Sequence, residues 1–179
     1  MSIRGIPLSV KEEASVAPFK AQRTLLIPIL IIIGVFLISW WARTTIDQTM
    51  DLLSRLTVIE GFFSITHVHN PGAAFGIFSK LDPSYRFPLL LCISFIALLF
   101  IGYLLIKNSE GDWAIKLGLS LLAGGALGNL YERIIYGEVV DYFDFYLGNY
   151  HWPAFNMADV FISTGIGFIL LYTFFERGR

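Results

Sequence analysis

Long runs without formal charge alternate with shorter polar segments along this chain. Thr24 to Ala42 lies between Arg23 and Arg43, and Phe87 to Ile106 lies between Arg86 and Lys107. Leu117 to Tyr131 is shorter, but Lys116 can snorkel and Trp113 can anchor at an interface, which lengthens it. Val160 to Phe175 falls short of the roughly 20 residues a span needs, unless Asp159 is accommodated within it. The pattern predicts four transmembrane helices. The first run is long for a signal-peptide core, and no small-x-small cleavage site follows it.

The segments between the runs are unequal. The tail before the first run, residues 1–23, reads as a mobile cytoplasmic segment, and residues 24–176 read as a single membrane domain. The outer segment Arg43 to Arg86 is long enough to fold. Its "TTIDQTMDLLSRL" predicts a short helix. "TVIEGFFSITHVHN" is rich in β-branched and aromatic residues, with a turn at Glu60-Gly61. The second outer segment, Ile134 to Ala154, contains "GEVVDYFDFYLGNYHW" and predicts a strand or two at the interface. "KNSEGDW" reads as a tight inner connection. The expected fold is an α-helical membrane protein of four spans with a small extramembrane sheet and a short outer helix.

Composition narrows the class. The 179 residues are 55% hydrophobic and 16% aromatic, with mean hydropathy +0.65, which is too apolar for an ordinary soluble domain. A net charge of −1 offers no basic surface for nucleic acid. The single cysteine, Cys92, cannot form a disulfide within the chain. Four spans place both termini on one side. That side carries Arg4, Lys11, Lys20, Arg23, Lys107, Lys116, Arg177 and Arg179, against Arg43, Arg55, Lys80, Arg86 and Arg133 on the other. The excess predicts cytoplasmic termini.

Chemistry gathers at the outer ends. In "LLAGGALGNLYERI", Gly124 and Gly128 form a small-xxx-small pair that lets helices approach. Asn129, Glu132 and Arg133 share one helical face by spacing. Asn156 and Asp159 repeat the three-residue spacing at the start of the fourth span. Helix three runs outward and helix four inward, so the two clusters share a level, and Asn70 can reach it. Asp141 and Asp144 lie just beyond helix three, close enough in sequence to Asp159 for a hairpin to bring them together. One reading is an interfacial carboxylate paired with Arg133. Another is a pair of carboxylates sharing one proton, as in aspartic proteases. A third is a metal bound by His67, His69 and His151, but no metal-binding helix motif supports it. A proton-coupled transporter would use similar acids, yet the inner helix halves hold only hydroxyls and glycines.

The segments "FFSITHVHNPGAAFG", "AGGALGNLYERIIYGEVVDYFDF" and "PAFNMADVFI" resemble, in order and spacing, the lipoprotein signal peptidases, the type II signal peptidases of bacteria. The resemblance covers nearly everything from Leu25 to Phe175. It implies an intramembrane aspartic endopeptidase that cuts just before a cysteine carrying a diacylglyceryl group in a prolipoprotein. It implies Asp141 and Asp159 as the catalytic pair. Asn70, Asn129, Arg133 and Asn156 would hold the substrate backbone and orient the pair, with Glu132, Gly72, Ala73 and Phe75 in support. No metal or other cofactor is expected. The expected setting is the bacterial inner membrane, with the site at the outer face, membrane lipid around a monomer, and no nucleic-acid partner. A non-catalytic lipoprotein-binding homologue is the alternative. Its support is two departures from the family pattern. Ser39 stands, four residues before Arg43, where the family usually has an aspartate before a lysine. Glu132-Arg133 stands where the family usually reads Asp-Arg.

Overall fold

The computed structural model describes residues 8–73 and 76–176, with side chains from Leu25 onward. Phe75 therefore lies outside the described residues. In chain order the elements are α1 (Leu8–Thr49), β1 (Arg55–Ile59), β2 (Phe63–Asn70), α2 (Pro83–Lys107), α3 (Trp113–Tyr136), β3 (Val139–Leu147), β4 (Tyr150–His151) and α4 (Met157–Glu176). Four of the helices' stretches, Leu25–Thr49, Pro83–Lys107, Trp113–Tyr136 and Met157–Glu176, are long and apolar enough to cross a membrane.

One expectation about α1 gives way. Its backbone is helical from Leu8, and it continues through "TTIDQT" instead of yielding a separate outer helix. Nothing in "ARTTIDQT" breaks a helix, and Thr45 and Thr49 hydroxyls bond back to the carbonyls of Trp41 and Thr45. The helix stops only at Met50, after which residues 51–54 turn into β1.

α3 is the central helix, packing against α1, α2 and α4. Its glycines permit this. A Cβ at Gly124 would sit 2.6 Å from the Val35 side chain of α1, and one at Gly125 would sit 2.5 Å from the Ala158 carbonyl of α4. Close backbone contact takes the place of hydrophobic burial, which gives little between helices surrounded by lipid. Near the 108–112 connection the interior is plain hydrocarbon: Ile101, Leu105, Leu119 and Ala123, flanked by Ile32, Leu122 and Ile169. The outward faces are equally apolar, with Phe95, Ile96, Leu99, Phe100, Leu170 and Phe174 exposed.

At the opposite end the strands form one antiparallel sheet in the order β1-β2-β3-β4. Glu60 and Gly61 make the predicted turn, with Gly61 at φ +76°. β2 meets β3 with Val68 opposite Asp141 and Asn70 opposite Val139. α3 ends at Gly137, whose left-handed backbone (φ 83°) returns its N–H to the Arg133 carbonyl and releases the chain into β3. The sheet therefore sits on the polar end of the bundle, over the ends of α3 and α1.

Candidate active site

Four elements deliver polar side chains to one place. Asn129 comes from the end of α3, Asn156 and Asp159 from the start of α4, Asp141 from β3 and Asn70 from the end of β2. Asn70 lies diagonally across the strand pair from Asp141, within reach of it.

The start of α4 explains the Asn-x-x-Asp spacing. The Asn156 Oδ1 accepts the Asp159 backbone N–H at 3.0 Å, and Asp159 Oδ2 accepts the Asn156 N–H at 3.3 Å. This is a reciprocal capping box, and it sets Asp159 in the first helical turn, where the helix dipole favours negative charge. Sequence reasoning placed the two residues on one face but did not read the cap. The signal was present in the spacing and residue types.

From the cap a chain of amides runs through the site. Asn129 Nδ2 donates to Asp159 Oδ1 at 2.8 Å. Asn156 Nδ2 donates both to Asn129 Oδ1 at 3.2 Å and to Asp141 Oδ1 at 3.0 Å. Asn70 Nδ2 donates to Asp141 Oδ2 at 2.8 Å. Each oxygen of each aspartate thus accepts one neutral N–H, leaving a further lone pair on each for another partner. Burial pushes the Asp141 carboxyl up to about 7; its bond from Asn70 opposes this, and the charge of Asp159 adds to it.

Both aspartates line a cavity of about 670 Å³. Asn70, Ala73, Asn129, Arg133 and Asn156 share its wall, and Trp152, Pro153, Phe155, Val160 and Ile162 give it an apolar side. Arg133 closes one end without an ion pair to either acid. Its Nη2 donates to the Gly72 carbonyl at 3.1 Å and its Nη1 to the Asn129 carbonyl at 3.3 Å, while its buried Nε has no hydrogen-bond partner among the described residues. Gly72 is fixed by space: a Cβ there would lie 2.5 Å from the Ile77 carbonyl oxygen. Its own N–H goes to Asn70 Oδ1 at 2.9 Å. The expectation of an aspartate paired with Arg133 is not what the structure shows.

Glu132 and Ser39 lie behind the pair. Glu132 Oε2 accepts the Val140 N–H at 2.9 Å and lies 3.8 Å from Arg43 Nε. It holds the strand one residue before Asp141. Its anchoring role was invisible in sequence because its partner is a backbone amide. The Ser39 hydroxyl bonds to the Val35 carbonyl at 2.9 Å, and its side chain lies where a Cβ at Gly128 would meet it at 3.3 Å. Neither departure touches the aspartate pair. The three histidines do not converge: His67 and His69 sit together on β2, while His151 lies beside Asp144 and Arg55.

The family model for signal peptidase (SPase) II matches residues 18–175. The chain belongs to the signal peptidase II family. It is similar to the lipoprotein signal peptidase of Syntrophus aciditrophicus, 42% identical over 137 residues that make up 76% of this chain and 85% of that protein. It is also similar to that of Geobacter sulfurreducens, 38% identical over 149 residues, or 83% and 92% of the two chains. A solved bacterial membrane enzyme superposes with a TM-score of 0.74 at 31% identity, covering 84% of this chain and 88% of that one. Membership makes the chain a multi-pass membrane protease and sets aside the transporter reading.

Proposed function

We propose that Asp141 and Asp159 are the catalytic pair of a signal peptidase II that removes the signal peptide of prolipoproteins, cutting just before a diacylglyceryl-modified cysteine. One observation carries this reading. Two buried carboxylates on separate elements face one cavity, linked by neutral amides and, among the described residues, without a cation at hydrogen-bonding distance.

Two such acids share one proton and titrate as a unit. The ionised member takes a proton from a water in the cavity, and the resulting hydroxide adds to the scissile carbonyl carbon. The protonated member donates to the carbonyl oxygen, which gives a neutral gem-diol. Collapse breaks the C–N bond. A diol proton returns to one carboxyl, and the other carboxyl protonates the leaving amine, so the pair ends as it began with one proton. Asn70, Asn129 and Asn156 keep both carboxylates aimed at the cavity. Arg133 fixes the Gly72 turn that forms its rim, and Ala73 lines it. Phe75 belongs to the same "GAAF" segment and is assigned a supporting role on the resemblance alone.

The apolar wall of the cavity and the exposed hydrocarbon of α4 suit a substrate whose acyl chains stay in the bilayer. The excess of lysine and arginine on the termini side supports cytoplasmic termini and a site at the outer face of the bacterial inner membrane. We assign the working unit as a monomer, because every group in the proposed chemistry comes from one chain. The decisive test is incubation of purified protein with a lipidated model precursor. Release of a peptide ending immediately before the modified cysteine is expected. No cleavage, or cleavage of the unlipidated precursor at equal rate, overturns the substrate reading. A cysteine at position 149 should react with an impermeant label from outside, and one at position 109 should not.

A further inference from the structure

Away from the aspartate pair, the last turns of α1 and the end of β2 bring together three groups with metal-ligand chemistry. Asp47, His67 and His69 each offer a ligand atom, and these atoms all lie within 4.8 Å of one another. The two Nε2 atoms are 3.3 Å apart, and Asp47 Oδ1 is 3.7 Å from the His67 Nε2.

The far side of each ring settles what the near side presents. His67 Nδ1 lies 2.9 Å from the Met50 carbonyl oxygen, and His69 Nδ1 lies 2.5 Å from Glu138 Oε1. A carbonyl and a carboxylate accept, so each Nδ1 carries the hydrogen. In the neutral rings both Nε2 atoms are then bare lone pairs. They face each other across 3.3 Å, with a carboxylate oxygen as the third acceptor. Three acceptors around one gap need a cation between them. A single proton on one ring makes one good bond. A metal ion satisfies all three.

The dimensions suit a small borderline-soft ion. Two imidazole nitrogens each about 2.0–2.1 Å from a tetrahedral zinc ion stand about 3.3–3.4 Å apart. The outer partners are those that orient ligating histidines: a backbone carbonyl on one ring and a carboxylate on the other. His67 is also held by its main chain, since its carbonyl accepts from Leu53 at 2.8 Å and its N–H donates to Ser54 at 3.2 Å. Arg43 Nη1 lies 3.3 Å from the second oxygen of Asp47. The His67 side chain is 5% exposed, but Asp47 at 39% and His69 at 33% leave an entry path and room for water.

We propose that Asp47, His67 and His69 hold one divalent transition-metal ion of the zinc class, with water completing its shell. The ion pins the end of α1 to β2, one residue before the Asn70 that bonds Asp141. It is a clamp and takes no part in peptide hydrolysis, because neither aspartate of the pair is a ligand.

The test uses the full chain in detergent, stripped of metal and titrated with zinc against a chromophoric chelator. One zinc per chain and a raised thermal midpoint are expected, as is a cobalt visible spectrum of a low-coordinate nitrogen–oxygen site. Asp47→Asn and His69→Gln, both at partly exposed positions, should each weaken zinc binding by about tenfold or more. His151→Gln should leave it unchanged. Wild-type affinity in both variants overturns the site. So does the absence of stoichiometric zinc binding at neutral pH, which leaves a proton shared by the two rings. Since the readout is metal binding, it stands or falls independently of the aspartate chemistry. Loss of precursor cleavage on chelation would overturn the assignment of the ion as a bystander to hydrolysis.

Discussion

Asp141 and Asp144 lie three residues apart on β3, and both are buried. Their surroundings are opposite in kind. Asp144 meets the Arg55 guanidinium on one oxygen and the His151 ring, at 2.9 Å, on the other. Among the described residues, Asp141 accepts only from the amides of Asn70 and Asn156, with the charges of Asp159 and Arg133 farther off. A cation beside a carboxylate stabilises its anion. A carboxylate held by neutral donors in a buried cavity keeps a proton within reach. The strand's alternation sends the two to opposite faces, so one strand serves structure on one face and chemistry on the other.

The largest expected effect strikes the neutral-amide side. Asp141→Asn and Asp159→Asn preserve size but remove the base and the shared proton. Each should lower turnover by about 10² to 10⁴ or more. Both proteins should still insert and fold, which helical circular dichroism and gel filtration in detergent will check. A folded Asp141→Asn protein that cleaves near the wild-type rate would return the second carboxylate to Glu132 or Asp144.

The next effect is on pH dependence. Asp141 binds its proton up to about 7, far above an ordinary aspartate. A group with a raised pKa stays protonated as pH climbs from the usual carboxylate range to neutrality and gives up its proton above it. Past that point both acids are charged and none remains to protonate the scissile carbonyl. We expect kcat/KM to fall on the alkaline side, with an apparent midpoint near 7 and about tenfold per further pH unit. A rate that is flat to strongly alkaline pH would mean that no shared proton is needed. The profile belongs to the pair and is not assigned to either residue alone.

How much of this was legible beforehand depends on whether a feature reports its own neighbourhood. The first two spans were plain, because charge-free runs face lipid. The third and fourth read short, at Leu117–Tyr131 and Val160–Phe175, yet the helices run Trp113–Tyr136 and Met157–Glu176. Their extra turns carry Glu132, Arg133 and Asp159, which face partners inside the protein instead of lipid. The strands followed from β-branched runs. What the order of residues could not reveal was long-range pairing. Arg133 reaches the Gly72 carbonyl, Glu132 reaches a strand amide, and Asp47, taken for part of a separate helix, joins His67 and His69 because α1 does not stop.

A smaller effect tests how tightly Asp141 must be placed. Glu132 is a third buried carboxylate, and its task is to hold the Val140 N–H. Glu132→Asp shortens the reach by about 1.5 Å. Val140 is 1% exposed, so its N–H would be left without water. An unsatisfied buried donor costs about 1–3 kcal/mol of stability. Turnover should fall less than in the dyad variants, because the strand keeps its pairing with β2. Glu132→Gln, which retains an acceptor oxygen at the same reach, should lie closer to wild type in both measurements. A deeper loss in Glu132→Gln than in Glu132→Asp would mean that the charge of Glu132 matters more than its length. Ser39→Asp places a carboxylate one helical turn before the buried Arg43 and should be tolerated only if Arg43 turns to meet it.

The smallest effect on turnover belongs to Asp144→Asn, and it closes the comparison because it alters the same strand. The lost partners are surface groups: the side chains of Arg55 and His151 are each 41% exposed and can turn to water. With Asp144 buried and both partners exposed, these pairs are partly screened, and their loss should cost less than that of a fully buried pair. The thermal midpoint should therefore drop slightly, and most at low ionic strength, where such a pair is least screened. The rate per folded molecule should remain within a few-fold of wild type. The amide network around Asp141 does not include Asp144, and Asp144 does not line the cavity. A loss as deep as that of Asp141→Asn, in protein that remains folded, would show that the two faces of β3 are not separable and that the cation-held carboxylate takes part in the reaction.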